Sequence, residues 1–127
     1  MPKFSKTSIE RLSTCHQDLQ VLFGEVIKEF DCSIICGYRG KKEQEAAFER
    51  GTSKLKWPRS KHNITPAEAV DVMPYPIDWK DMEKFKLFGA YVKSRIRELK
   101  RQGKIENDII WGGDWKNFKD YPHWEII

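Results

Sequence analysis

Three stretches of the 127-residue chain carry side chains whose types and spacing suit chemistry: Ser60-Lys61-His62, Ala69-Val70-Asp71 and Asp120-Tyr121-Pro122-His123-Trp124-Glu125. They offer two imidazoles and a carboxylate for one metal ion (His62, Asp71, His123) and a further carboxylate, Asp120, beside the last imidazole. Three N/O ligands with a fourth position left to water is the arrangement of a catalytic zinc site, whereas structural sites close all four positions. A spare carboxylate there is the proton acceptor that an attacking water requires. The chemistry implied is metal-assisted hydrolysis.

Asp71 stands inside an Ala-Val-Asp-Val-Met run. A carboxylate with apolar neighbours is costly to bury unless it is paired or holds a cation. A salt-bridged structural aspartate is the alternative. Asp120 and His123, three residues apart, would face opposite ways on a flat strand. Pro122 fixes its own φ and biases Tyr121 toward β or polyproline conformations. Polyproline II repeats every three residues and would return both side chains to one side. Glu125 shares the face of His123 if a strand follows, as a hydrogen-bond acceptor behind the ligand or as a plain surface residue. Two histidines and a carboxylate also describe non-haem iron oxygenases. The long interval from His62 to Asp71, in a short helix-rich chain, argues against that reading.

The elements that must position these groups follow from periodicity. Across residues 8–30, Ile9, Leu12, Leu19, Leu22, Phe23, Val26, Ile27 and Phe30 recur near 3.6 residues, predicting one helix opened by a Thr7–Glu10 capping box. His16 falls on that stripe and is expected to pack rather than ligate. Cys32 to Cys36 predicts a strand, Gly37-Tyr38-Arg39-Gly40 a turn, and Lys41 to Arg50 a helix with Gly51 beyond its end. Residues 51–68 predict a loop. Ala69 to Met73 predicts a strand with Ala69, Asp71 and Met73 on one face. Asp78 is the expected cap of a helix reaching about Arg101, with Phe85, Phe88, Val92, Ile96 and Leu99 inward and Gly103 at its exit. Ile109 to Trp111 and His123 to Ile127 predict strands, with a Gly112-Gly113 turn after the first. The connections at 74–80 and 112–122 are too irregular for repeating βαβ units. The fold class expected is α+β, a small mainly antiparallel sheet with helices packed on one side.

A hydrophobic content of 39% suits a packed core, and the length suits one domain over 1–127. The mean hydropathy of −0.68, with no apolar run near the ~20 residues needed to span a bilayer, excludes a membrane-spanning helical protein. Met1-Pro2-Lys3-Phe4-Ser5-Lys6 turns polar at once and shows no signal-peptide pattern, so a cytoplasmic start is expected. Three cysteines, Cys15, Cys32 and Cys36, are an odd count that predicts free thiols, with the last two as small residues of a strand core. The net charge of +4 is densest at Lys54, Lys56, Arg59 and Lys61. That patch is either a solvated loop or an attraction for an anionic polymer, nucleic acid or cell wall. It lacks interleaved aromatics beyond Trp57, so nucleic-acid binding is not expected.

Taken in order, Gly37-Tyr38-Arg39, Ser60-x-His62, Ala69-x-Asp71, Trp111-Gly112-Gly113-Asp114-Trp115 and Asp120-x-Pro122-His123-Trp124-Glu125 resemble the VanY-type zinc D,D-carboxypeptidase superfamily, and within it the bacteriophage L-alanyl-D-glutamate peptidase endolysins. The resemblance spans about residues 34–127. It implies a hedgehog/D,D-peptidase-like fold and zinc held by His62, Asp71 and His123. It further implies Asp120 as catalytic base, Arg39 facing substrate and Ser60 supporting the site. The substrate implied is the peptidoglycan stem peptide, cut between L-alanine and D-glutamate for host lysis. The alternatives are a D-alanyl-D-alanine carboxypeptidase or dipeptidase, and a metal-bound module without activity. Two departures stand out: the interval from His62 to Asp71 is two residues longer than the usual S-x-H-x-x-G-x-A-x-D, with Pro66 where glycine is common, and the final motif uses Asp120 rather than glutamate. A phage enzyme of this kind is expected as a monomer without stable membrane association or a separate wall-binding domain. It would wait in the host cytoplasm until a holin opens the way to the periplasm and wall.

Overall fold

The computed structural model describes residues 2–127. Four helices, α1 (Lys6–Leu12), α2 (Gln17–Val26), α3 (Lys41–Glu49) and α4 (Met82–Arg101), accompany four strands, β1 (Cys32–Cys36), β2 (Ala69–Pro74), β3 (Ile109–Trp111) and β4 (His123–Ile126). The strands form one antiparallel sheet in the order β1-β2-β4-β3. The architecture is the α+β fold expected.

Alternation along the two central strands divides the sheet into an apolar face and a chemical face. Val70, Val72, Trp124 and Ile126 join Leu19, Leu22, Phe23 and Val26 of α2, and Phe88, Val92, Ile96 and Leu99 of α4, in one buried core. Asp71, His123 and Glu125 occupy the opposite face. The β2–β4 register sets Asp71 directly across from His123 and Ala69 across from Glu125. Directly opposed residues hold their Cβ atoms about 4.5–5.5 Å apart, so the register alone brings a carboxylate to an imidazole. α3 stands beside this second face instead of on the core.

The helix expected over residues 8–30 is two helices. Ser5, not the Thr7–Glu10 pair, caps α1 by accepting from Ser8 N, and α2 starts anew with His16 Nδ1 accepting from Asp18 N at 3.0 Å. The break has a tertiary cause. Residues 14–16 pair with the loop before β2: His16 N donates to Ala67 O at 2.8 Å and Ala67 N to Thr14 O at 2.9 Å. A continuous helix would have used those backbone groups internally. The same pairing fastens the long loop between His62 and Asp71. His16 itself turns Nδ1 to this cap.

α4 begins at Met82, capped by Asp81, whose side chain accepts from Lys84 N at 3.1 Å. Asp78, the expected cap, instead closes a tighter turn by accepting from Lys80 N. Local Asx turns and helix caps draw on the same side chains, and sequence pattern alone does not separate them. The five expected inward residues of α4 are all buried. Gly51 and Gly103 take φ of 78° and 74° at the ends of α3 and α4, the left-handed exit that glycine favours.

Gly112 has a different purpose. A Cβ there would lie 2.4 Å from the Asp120 carbonyl oxygen and 3.1 Å from His123 Cβ, and its own carbonyl accepts from Asp120 N at 3.0 Å. Trp111 Nε1 donates to Tyr121 O in the same place. The strand β3 and its glycine thus press against the turn that carries Asp120 and His123. Gly112→Ala should lower stability by about 1–3 kcal/mol, the usual cost of overpacking, and displace Asp120. A thermal melt checks the first effect, and loss of turnover at unchanged metal content checks the second.

Candidate metal centre

His62, Asp71 and His123 meet on the chemical face of the sheet, each brought by a different device. His62 sits in a single 3-10 turn, Lys61–Asn63, that Ser60 caps: its hydroxyl accepts from His62 N, and Asn63 Oδ1 accepts from Ser60 N. The segment between β1 and α3 is locked to this turn from both sides, since Arg39 N donates to His62 O and Asn63 Nδ2 donates to Arg39 O. The imidazole Nδ1 donates to Gly37 O at 2.8 Å. A carbonyl only accepts, so Nδ1 carries a proton and Nε2 is the nitrogen whose lone pair a metal would take on displacing any proton there. That Nε2 lies 3.3 Å from Asp71 Oδ1 outside hydrogen-bonding geometry and is buried with no other partner.

His123 turns its Nδ1 toward the same oxygen, 3.2 Å from Asp71 Oδ1, and its Nε2 toward Glu125 Oε1 at 2.8 Å. Both histidines thus hold one nitrogen on an outer acceptor and aim the other at Asp71. This is the usual arrangement behind a metal-ligating imidazole. His62 Nε2 and His123 Nδ1 thus flank one oxygen of Asp71, at 3.3 and 3.2 Å, a set of two imidazoles and a carboxylate that fits a divalent ion.

Asp120 reaches the site by a route other than the one anticipated. Residues 120–123 form a tight turn closed by His123 N donating to Asp120 O at 3.1 Å. Polyproline geometry makes no such bond. The turn still gathers both side chains, with Asp120 Oδ2 3.9 Å from His123 Nδ1. Arg39 lies on the other flank, its Nη2 3.4 Å from Asp71 Oδ2. All these groups line one cleft of about 670 Å³, whose walls include Ser53, Lys54, Leu55, Trp115 and Phe118.

Cys36 belongs here as well, a correction to its assignment as a strand-core residue. The β1–β2 pairing slips between Ile34 and Cys36, so that Cys36 lies opposite Asp71. A bulge of this kind re-aims a side chain to the other face, and Cys36 Sγ ends 3.9 Å from His62 Nδ1. Donor atoms of Cys36, His62 and Asp71 fall within 4.8 Å of one another, as do those of Asp71, Asp120 and His123. Asp71 is common to both groups. Cys15, Cys32 and Cys36 are free thiols, as expected, and burial pushes Cys15 and Cys32 up to about 12.

The site's electrostatics follow from this crowding. Burial alone would depress His62, but Asp71 and the Cys36 sulfur more than reverse it, raising it to about 10. Burial is likewise outweighed at His123, where Asp71 and Glu125 raise it to about 9. Asp71 is held well below the usual carboxylate range by the two imidazoles, against its own burial. Asp120 moves the other way: burial, then the charge of Asp71, raise it to about 6, against the pull of His123, His62 and Arg39. Two neighbouring carboxyls pushed apart in this manner mark a functional site.

The basic loop is less free than its composition suggests. Lys61 is turned inward to the Ile126 carbonyl oxygen, Lys56 lies over the Phe48 ring and Lys54 over the Phe118 ring, each 5.2 Å from the centroid.

Comparison with known proteins agrees with this picture. The family model described as phage L-alanyl-D-glutamate peptidase matches residues 1–126. The peptidoglycan L-alanyl-D-glutamate endopeptidase CwlK of Bacillus subtilis (strain 168) is 34% identical over 114 residues, covering 79% of this chain and 63% of that protein. The crystal structure of the Serratia marcescens L-Ala D-Glu endopeptidase ChiX superposes with a TM-score of 0.79 at 25% identity, covering 99% of this chain and 91% of that one. With that match running through nearly every residue, the chain belongs to the phage L-alanyl-D-glutamate peptidase family.

Proposed function

We propose that the protein is a zinc-dependent endopeptidase that hydrolyses the amide between L-alanine and D-glutamate in peptidoglycan stem peptides, in the service of host-cell lysis. The observation that carries this reading is the orphaned His62 Nε2 facing Asp71 opposite His123, in a cleft of a chain of this family. His62 Nε2, Asp71 Oδ1 and His123 Nδ1 would hold the ion. When bound, zinc supplies Lewis acidity, polarising the amide carbonyl and making water acidic enough to attack near neutral pH.

The remaining steps fall to the chain's own groups. Asp120, at the cleft side of His123, accepts a proton from the attacking water on its carboxylate and delivers it to the departing amine nitrogen. The new C–O bond leaves L-alanine with a free carboxylate, and the broken C–N bond leaves D-glutamate with a free amine. Arg39 lends its guanidinium to the substrate carbonyl or a neighbouring carboxylate as negative charge develops. Arg39→Lys should reduce turnover while leaving zinc content unchanged, because an ammonium does not reproduce the planar fork. Unchanged kinetics in that variant would leave Arg39 as a structural ion pair with Asp71.

Access to the wall would follow opening of the membrane by a holin, a reading supported by the phage family. The test of the bond is digestion of purified peptidoglycan with and without chelator, with fragments identified by mass spectrometry. Peptides beginning with D-glutamate should appear only when metal is present, leaving L-alanine on muramic acid. Free D-alanine as the main product would place the enzyme among the carboxypeptidases instead.

A further inference from the structure

Gln44 is fully buried on α3 and makes four side-chain hydrogen bonds, none within its own helix. Its Oε1 accepts from Arg39 Nη1 at 3.0 Å and from Asn63 Nδ2 at 3.2 Å. Its Nε2 donates to the Leu55 carbonyl at 2.6 Å and to Ser53 Oγ at 2.9 Å. The orientation of the amide is forced: a guanidinium only donates and a carbonyl only accepts, so Oε1 must face Arg39 and Nε2 must face Leu55. Every hydrogen-bonding valence of the side chain is used.

Those four partners come from three parts of the cleft. Arg39 flanks the metal-facing Asp71, Asn63 closes the turn that carries His62, and Ser53 with Leu55 forms part of the cleft wall. The guanidinium is suspended between two acceptors, Gln44 Oε1 and Asp71 Oδ2 at 3.4 Å. Without the first, its remaining protein partner is the carboxylate that the metal needs, and the cation would fold onto it and away from the cleft.

We propose that Gln44 is a positioning residue for hydrolysis: it holds the Arg39 guanidinium toward substrate and off Asp71, and ties that cation to the loop wall at residues 53–55 so that both meet the stem peptide as one unit. The inference rests on the reading above in which Arg39 faces substrate. It separates into two halves, because two substitutions break different bonds. Gln44→Met removes all four. Gln44→Glu keeps acceptors for Arg39 and Asn63 but loses the donor to Leu55 O, releasing the wall alone.

The experiment is a double-mutant cycle on the metal-loaded protein with peptidoglycan as substrate, joined to limited trypsin digestion. Gln44→Met should lower kcat/KM by about tenfold or more, the worth of one hydrogen bond to a charged group. The same substitution should cost less than about twofold when made in an Arg39→Ala background, since residues acting as a unit are not additive. Gln44→Glu should leave the cost of Arg39→Ala as large as in the unaltered protein, yet speed tryptic cleavage after Lys54. Equal losses from Gln44→Met in both backgrounds would overturn the coupling to Arg39. Should Gln44→Met fail to fold, a reduced cost of Arg39→Ala in Gln44→Glu would overturn it equally. Unchanged cleavage after Lys54 in Gln44→Glu would overturn the tie to the wall. If the unaltered protein releases no peptide headed by D-glutamate, the proposed function fails, while the trypsin readout still decides the wall.

Discussion

A protein carrying His123→Ala is expected to lose its metal and its hydrolytic activity together. His123 Nδ1 is one of two ring nitrogens aimed at Asp71 Oδ1, and in the proposed three-ligand set its removal leaves one imidazole and one carboxylate, too few to hold zinc tightly. His62→Ala should behave alike, because its Nε2 has no other partner in the fold. Glu125→Ala should be milder, weakening metal affinity by about 10–100-fold, the usual cost of removing the acceptor behind a ligating imidazole. Elemental analysis decides: full zinc occupancy in His123→Ala would sink the assignment. The metal-free protein supplies a second signature. Its two imidazoles hold protons up to about 10 and about 9, so loading the ion must release protons, and affinity should fall as pH is lowered. The same raised values mean that the imidazolium–Asp71 pairs stabilise the metal-free fold fully below the ordinary histidine value of 6.5 and cease to do so as pH rises through about 9 to 10. Added metal should therefore protect the fold most at the alkaline end.

Much of this site was legible in the sequence, and the reasons are local. Asp71 announced itself as a carboxylate in an apolar strand, and strand alternation correctly put it on the face away from Val70 and Val72. His123 and Glu125 share a face by the same period of two, and Glu125 does accept from the ring. The groups that escaped notice were placed by tertiary geometry. Cys36 reaches His62 through a bulge in the β1–β2 register, which no period reveals. The break between α1 and α2 comes from a backbone pairing with Ala67, more than fifty residues away in sequence. Gln44 did leave a signal, a polar residue on the same buried side of α3 as Ala47, but only its partners show why burial is tolerated. Asp120 was grouped with His123 for a reason that the turn replaces: proline set up a hydrogen-bonded reversal rather than an extended helix.

Asp120→Asn is expected to keep both fold and metal while losing on the order of 10²-fold or more in turnover, the usual contribution of a general base. The amide preserves the shape of the side chain but has no basic oxygen to take a proton from water or return one to the leaving amine. What distinguishes Asp120 from Asp71, a carboxyl only one imidazole away, is environment. Asp71 sits between two imidazoles and a guanidinium and stays ionised, suited to holding a cation. Asp120 is raised to about 6 by burial and by that neighbouring charge, where a carboxyl exchanges protons readily near neutral pH. Activity should fall as pH drops through the Asp120 value, since the base works only when deprotonated, and a bound cation should shift that acidic limb below 6 by favouring the carboxylate. In Asp120→Asn the limb should vanish along with most of the rate. The rival role is ligation, since donor atoms of Asp120, Asp71 and His123 lie within 4.8 Å of one another. Zinc lost from Asp120→Asn in proportion to activity would make Asp120 a ligand; zinc retained at full occupancy with the rate gone makes it the proton carrier.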